Sequence, residues 1–183
     1  MIGKVASDLL LVKVGSNTLD DVCNLYQTAF PEDERRPLEE WLHLVDNEPT
    51  FQVLAVMKEK SFAGFITYWT FQDFTYVEHF AIDPNKRGNG IGGAVLELFL
   101  RQHAEPIVLE VEIPETVQAQ KRVRFYEKHH FVRWLDSYRQ PPYRKGGSWL
   151  PMNIMSYGVG GEKTLAFEKV REILYECVYK VKI

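Results

Sequence analysis

The sequence predicts a mixed α/β fold: a mostly antiparallel sheet of about seven strands with helices packed against it. Three observations predict it. Strand patterns at residues 51–57, 62–71 and 75–82 follow one another closely enough to form a meander. The third runs into a glycine-rich turn, Ala81-Ile-Asp-Pro-Asn-Lys-Arg-Gly-Asn-Gly-Ile-Gly-Gly93, and an apolar helical pattern starts directly behind it. Further helical stripes lie on both sides of the meander, so strands and helices do not alternate one for one.

Each element has a local reason. Residues 9–14 form a short strand. Thr18 is placed to cap a helix, with Asp21 three residues on, and Leu19, Val22, Leu25, Tyr26 and Ala29 form its apolar stripe. Pro31 stops it, and the charged run Glu32 to Arg36 is expected as a loop. Pro37 suits the first turn of a second helix, whose Leu38, Trp41, Leu42 and Val45 share a face. After the glycine turn, Ile91, Val95, Leu98 and Phe99 set a helix over 91–103, and Pro106 separates it from a strand at 107–112. Residues 117–129 read as helix and 131–135 as strand. A Pro/Gly-rich loop is expected over 136–147, then a last strand over 149–156. A tail helix from Glu162 to Val178 puts Leu165, Val170, Ile173, Leu174 and Cys177 on roughly one face. With no repeat and no flexible linker, residues 1–183 are expected to form one domain, with a core over 9–157 and a helical extension over 158–183.

Composition narrows the function. The 183 residues are 45% hydrophobic and 26% charged, which suits a globular chain with a full core. A formal charge of −3 argues against a general nucleic-acid binder. No apolar run has membrane-spanning length, and Met-Ile-Gly-Lys-Val-Ala-Ser at the start lacks a full signal-peptide pattern. Cys23 and Cys177 lie far apart and provide neither a disulfide framework nor paired zinc ligands. The five histidines fall in no metal-binding spacing. The expectation is a cytoplasmic protein without metal, membrane or nucleic acid among its partners.

The chemistry concentrates at the glycine turn. Glycines at 88, 90, 92 and 93 let backbone approach a ligand, and the free N–H groups of a helix start attract phosphate oxygens. Arg87 adds a positive charge beside them. Gly88, Gly90 and Gly93 satisfy the dinucleotide pattern, and Glu110 and Glu112 fall where a ribose-binding acid would, so a dinucleotide-dependent oxidoreductase is one reading. Against it, a dinucleotide domain usually opens on its glycine loop, whereas about eighty residues precede this one. A purely structural turn is the plainest reading, but four glycines in six positions weaken a helix start unless something must approach. Gly158 to Thr164 echoes a phosphate loop and fails it, because Glu162 replaces the last required glycine.

Arg87, Gly90 and Gly92 also satisfy Arg/Gln-x-x-Gly-x-Gly/Ala, and here the chain resembles the GCN5-related N-acetyltransferase (GNAT) superfamily. Supporting blocks are Glu78-His-Phe-Ala-Ile-Asp-Pro ahead of the glycines, Arg124-Phe-Tyr-Glu-Lys-His-His-Phe-Val132, and Ala29-Phe-Pro-Glu-Asp-Glu-Arg35. The resemblance covers roughly residues 9–157 and implies a sheet splayed at the cofactor site. It further implies acetyl-CoA (coenzyme A) held by Phe80, Ala81, Ile82, Arg87, Gly88, Asn89, Gly90, Ile91, Gly92 and Gly93. Backbone N–H groups near Phe80 to Ile82 would serve the thioester oxygen. Two positions depart from the family pattern. Ala119 stands where members often carry an Asn that contacts pantetheine, with Gln118 or Gln120 as candidate substitutes, and His130 stands where a Gly is usual.

Transfer to an amine sets two proton requirements. An alkylamine of pKa ~10.4 is neutral in only about one molecule in a few thousand at pH 7, so its proton must be taken. Glu78, on the strand entering the cofactor loop, is the candidate base. Tyr76 and His79 are alternatives, and strand alternation is expected to send His79 to the opposite face. The leaving thiolate must gain a proton, and a phenol of pKa ~10 can hold one at neutral pH. Tyr126 matches the family tyrosine that does this, and Phe125 is expected as the core residue beside it. Phe30, Glu34, Arg35, Tyr76, Gln140 and Tyr143 are candidate acceptor contacts. Acids 32–34 suit a cationic amine, and Arg35 and Arg36 suit a carboxylate, so the acceptor, small molecule or peptide, stays open. With no convincing cysteine nucleophile, direct attack in a ternary complex is expected. A non-catalytic acyl-CoA sensor is the reading from another class. The tail helix either covers the sheet or makes a homodimer contact.

Overall fold

The computed structural model describes residues 8–160 and 164–182. Within them the elements run β1 (Leu9–Lys13), α1 (Leu19–Ala29), α2 (Leu38–Asn47), β2 (Phe51–Lys58), β3 (Ser61–Thr70), β4 (Thr75–Ile82), α3 (Ile91–Arg101), β5 (Ile107–Glu112), α4 (Val117–Lys128), β6 (Val132–Arg133), β7 (Tyr138–Gln140), β8 (Leu150–Tyr157) and α5 (Phe167–Ile173). A π-helical turn over Leu174–Val178 extends α5. The strands form one eight-stranded sheet in the order β1-β2-β3-β4-β5-β8-β6, with β7 also paired to β8. All pairings are antiparallel except β4 with β5. Short turns suffice inside the meander, whereas the parallel pair needs a crossover, which α3 supplies.

Side-chain alternation divides the core between the two sheet faces. Ile107, Leu109 and Val111 of β5 share one core with Ile91, Val95, Leu96 and Phe99 of α3 and Val123 of α4. Val108 points the other way, into a core with Val22, Leu25 and Tyr26 of α1, Trp41 of α2 and Trp69 of β3. Val170, Leu174, Tyr175, Val178 and Tyr179 belong to this second core, so the tail covers the sheet. Its helix starts at Phe167, and the expected start at Glu162 lies outside the described residues. Among these residues no helix is long and apolar enough to cross a membrane.

Several local expectations are corrected. Among the described residues the sheet has eight strands, in line with the about seven expected; the addition is β7, which forms inside the segment expected as loop, where three residues are too few for alternation to show. The strand expected over 131–135 shrinks to Val132–Arg133. Thr18 makes no side-chain cap to α1; its hydroxyl turns back to the Gly15 backbone. The charged run after Pro31 is not simply a solvated loop. Glu32–Glu34 make a 3₁₀ turn, and Arg35 and Arg36 behind it are buried.

Candidate active site

The site begins where the sheet opens. β4 and β5 pair only at Thr75 with Ile107, Tyr76 with Val108 and Val77 with Leu109, then separate. Glu78 and Glu110 are the first residues past the last pair. At the same point β4 carries a bulge: Thr67 pairs with His79 and Tyr68 with Val77, leaving Glu78 as the extra residue. The bulge cancels the expected alternation. Glu78 and His79 line the same cavity, and His79 packs against the rings of Tyr26, Phe30 and Tyr143. Asp83 N–H bonds to Ala63 O on β3, at 2.9 Å. By alternation the N–H groups of Phe80 and Ile82 therefore point away from β3, into the gap.

A cavity of about 500 Å³ fills this opening. At one end lies the glycine turn. Gly88, Asn89 and Gly90 all have positive φ, at 99°, 50° and 74°, and Gly90 is the residue before α3. A side chain at Gly88 or Gly90 would meet no protein atom within 4 Å, so the space beside them is open. The first amides of α3, including those of Gly92 and Gly93, have no intrahelical acceptor. Gly93 serves packing as well, since a Cβ there would sit 2.9 Å from Nε2 of His129, the residue that follows α4. Arg87 Nε donates to Ile82 O at 3.1 Å, which fixes the cation at the rim. Phe80, Ala81, Ile82, Arg87, Gly88, Gly90, Ile91, Gly92 and Gly93 all line the cavity, and Asn89 does not. Gln118 lines it, whereas Gln120 bonds to Pro114 O instead.

Tyr126, on α4, lines the cavity. Burial pushes its phenol up to about 12, with Arg122 pulling down and Glu112 pushing up, so it keeps its proton at neutral pH. Phe125 lines the cavity too and is not only a core residue. His130 has φ 65°, so it adopts the left-handed conformation that the usual glycine would take.

The far end is acidic. Glu34, Glu78, Glu110 and Glu112 all line the cavity. Burial pushes Glu34 up, helped by the charge of Glu112. Glu112 is paired with Arg122 at 2.6 Å. Glu78 is held on both oxygens, by Arg36 at 2.7 Å and by Trp69 Nε1 at 2.8 Å. Burial, the largest single effect, would raise its carboxyl, but the Arg36 guanidinium, His79 and the hydrogen bonds from Trp69 and Tyr143 together outweigh it and hold the carboxyl below the usual range. Glu78 thus stands where the sequence placed it, as a fixed anion and a weaker base than expected. His79 is kept neutral, chiefly by burial. Phe30, Gln140 and Tyr143 line this end as well. Arg35 and Tyr76 do not: Arg35 bonds to Phe30 O, and the Tyr76 hydroxyl lies behind Glu110.

Sequence reasoning missed four of the groups gathered here. Arg36 suits a carboxylate on sequence grounds, and the carboxylate it holds is the protein's own Glu78. The sequence marks Glu110 only as a ribose-binding candidate; its period-2 placement on β5, opposite the apolar face, is the signal available for it. Arg122 and Tyr179 carried no local signal, because only folding brings them to β5.

Comparison with known proteins agrees with this architecture. Residues 19–131 match the model of the acetyltransferase (GNAT) family. A solved structure from Bacteroides thetaiotaomicron, described as belonging to the GNAT family, superposes with a TM-score of 0.88 at 35% identity, over 94% of this chain and 99% of that one. The Bacillus subtilis (strain 168) protein YjbC, which carries a provisional acetyltransferase name, is 35% identical over 63 residues, 33% of this chain and 32% of that protein's length. Arabidopsis thaliana Naa50, solved with the bisubstrate analogue CoA-Ac-MVNAL, shares the fold at a TM-score of 0.59 and 16% identity, over 84% of this chain and 100% of that one. A sheet splayed after its single parallel pairing, a glycine turn opening into the gap and a family match over more than half the residues converge: the chain belongs to the acetyltransferase (GNAT) family.

Proposed function

We propose that the protein is one acyltransferase domain that moves an acetyl group from acetyl-CoA to a primary amine by direct attack within a ternary complex. The observation that carries this reading is the continuity of the cavity, from an open glycine cradle at one end to a carboxylate-lined pocket at the other. The cradle fits coenzyme A: left-handed backbone at residues 88–90, free helix-start amides and an anchored Arg87 suit paired phosphates. The Arabidopsis neighbour's complex with a CoA-containing analogue is consistent with that fit. When bound, acetyl-CoA supplies an electrophilic thioester carbonyl.

The chain's own groups meet the remaining needs. Phe80 or Ile82 N–H, pointing into the gap, donates to the carbonyl oxygen as it gains negative charge. Tyr126 Oη gives its proton to the departing sulfur. The ionised carboxylates at the far end attract an ammonium and then accept a proton from it. No observation favours dinucleotide chemistry, since a dinucleotide domain is built on a parallel sheet and this sheet has one parallel pairing. The free thiols of Cys23 and Cys177 suit a reducing cytoplasm.

Two measurements test the reading. Coenzyme A should raise the melting temperature and NAD should not; the reverse result would end the transferase proposal. Thiol release from acetyl-CoA should then accelerate with at least one amine from a panel of cadaverine, phenylethylamine, kanamycin and a tripeptide with a free N-terminus. Binding without turnover on such a panel would favour the sensor reading.

A further inference from the structure

Three of the four cavity acids have a cation nearby: Glu78 pairs with Arg36, Glu112 pairs with Arg122, and Glu34 feels the charge of Arg122. Glu110 differs. Among the described residues every group that bonds to it is uncharged. Tyr138 donates to Oε1, and Tyr76 at 3.0 Å, Gln140 at 2.7 Å and Tyr179 at 2.6 Å donate to Oε2. Burial holds its carboxyl above the ordinary range, although all four hydrogen bonds favour the ionised form. A carboxylate buried without a counter-ion is costly, and the cost vanishes when a cation arrives or a proton is gained. Glu110 sits across the opened sheet from Glu78, and the rings of Phe30 and Tyr143 line the same space.

The donors come from unexpected places. Tyr138, Gln140 and Tyr179 all lie beyond the span that matches the family. Tyr179 follows the π-helical turn, where its N–H reaches Leu174 O at 3.0 Å, five residues back. Its hydroxyl also meets Tyr76 at 3.1 Å and Gln140 at 2.8 Å, and Arg36 ties down the preceding Val178 carbonyl at 3.0 Å. The tail is thus built into the acceptor end of the site.

We propose that Glu110 is the carboxylate that meets the ammonium group of a cationic acceptor and takes its proton, and that Tyr179 is the positioning residue that holds it there. This rests on the acyltransferase reading. One N–H bond of the ammonium breaks, its electron pair stays on nitrogen as the attacking lone pair, and the proton forms an O–H bond on Glu110. That proton later leaves to solvent. The nitrogen–carbon bond then forms and the carbon–sulfur bond breaks; the sulfur takes a proton from Tyr126, and the second proton shed by nitrogen restores the Tyr126 hydroxyl, so charge and atoms balance. The titratable and charged groups around Glu110 are Tyr76 and Glu78 on β4, Glu112 on β5, Tyr138 on β7, Tyr143 in the loop behind it, and Tyr175 and Tyr179 in the tail, with Arg36 beyond Glu78. The tyrosines all keep their protons at neutral pH, and Arg36 holds Glu78 ionised.

The test uses the full chain, acetyl-CoA and whichever panel amine turns over best. Glu110→Gln should lower kcat/KM by about 100-fold or more and abolish the acid limb of its pH profile. Tyr179→Phe removes a donor to the ionised form, so the acid limb should move to higher pH while coenzyme A still raises the melting temperature. Carboxyl ¹³C NMR of glutamate-labelled protein gives a readout independent of turnover. One resonance should titrate above the ordinary range, be missing in Glu110→Gln and titrate higher still in Tyr179→Phe. Wild-type kcat/KM and pH profile in Glu110→Gln overturn the proposal while leaving the transferase reading intact. So does an unmoved limb and resonance in Tyr179→Phe, which decides the matter if Glu110→Gln does not fold. A wild-type protein that coenzyme A fails to stabilise ends both.

Discussion

Tyr126 joins a packing position to the chemistry proposed for it. It belongs to the core shared with α3 and also lines the cavity. With its phenol pushed up to about 12, it holds its proton across the physiological range and can offer that proton as a hydrogen bond to a departing sulfur. Tyr126→Phe keeps the ring and removes only the proton. We expect kcat to fall about 100-fold with little change in the coenzyme A melting shift. Steady-state kinetics together with thermal unfolding checks both halves, and an unchanged kcat would remove Tyr126 from the chemistry. Glu78 teaches the opposite lesson. The sequence placed it correctly on the strand but carried no sign of Arg36, 42 positions earlier, whose pairing makes its carboxylate easier to ionise and harder to protonate.

The element that decides the site is β4, which pairs antiparallel on one side and parallel on the other before β5 leaves it. Its hold on β3 depends on Gly64. A Cβ at Gly64 would fall 2.3 Å from the carbonyl oxygen of Ala81, a backbone atom that cannot move aside without breaking the ladder. Gly64→Ala should therefore cost about 2–3 kcal/mol, measurable by denaturant unfolding. It should weaken coenzyme A binding as well, because Ala81 and Ile82 line the cavity. A variant with wild-type stability would show that β3 and β4 are not locked in this register. The β4 bulge is likewise an element-scale feature: it brings His79 beside Glu78 by defeating the two-residue period on which the sequence expectation relied.

At the scale of the molecule, buried titratable groups tie stability to pH. Burial lowers the His79 pKa in the folded state, so below about pH 6.5 the unfolded chain binds more protons and stability falls as pH falls. Glu110 acts in the opposite sense: with its folded pKa raised, the native state binds more protons just above the ordinary glutamate range, and stability gains there as pH falls. Comparing melting temperatures of wild type and His79→Gln separates the two, because the gap between them should change between about pH 7 and 5. A gap that stays constant would mean His79 titrates as an exposed imidazole. The sequence alone determined the local elements. Period-2 runs marked the meander, period-3.6 stripes marked α1 to α4, and the glycines at 88–93 marked the open turn ahead of α3, because these signals depend only on near neighbours along the chain. Tertiary structure alone decided the far end of the site. The Arg36–Glu78 pair, the bulge that turns His79 inward and the arrival of Tyr179 at Glu110 join residues 42, 12 and 69 positions apart. No local period records such contacts, since they form only when two cores and an opened sheet bring distant strands and the tail together.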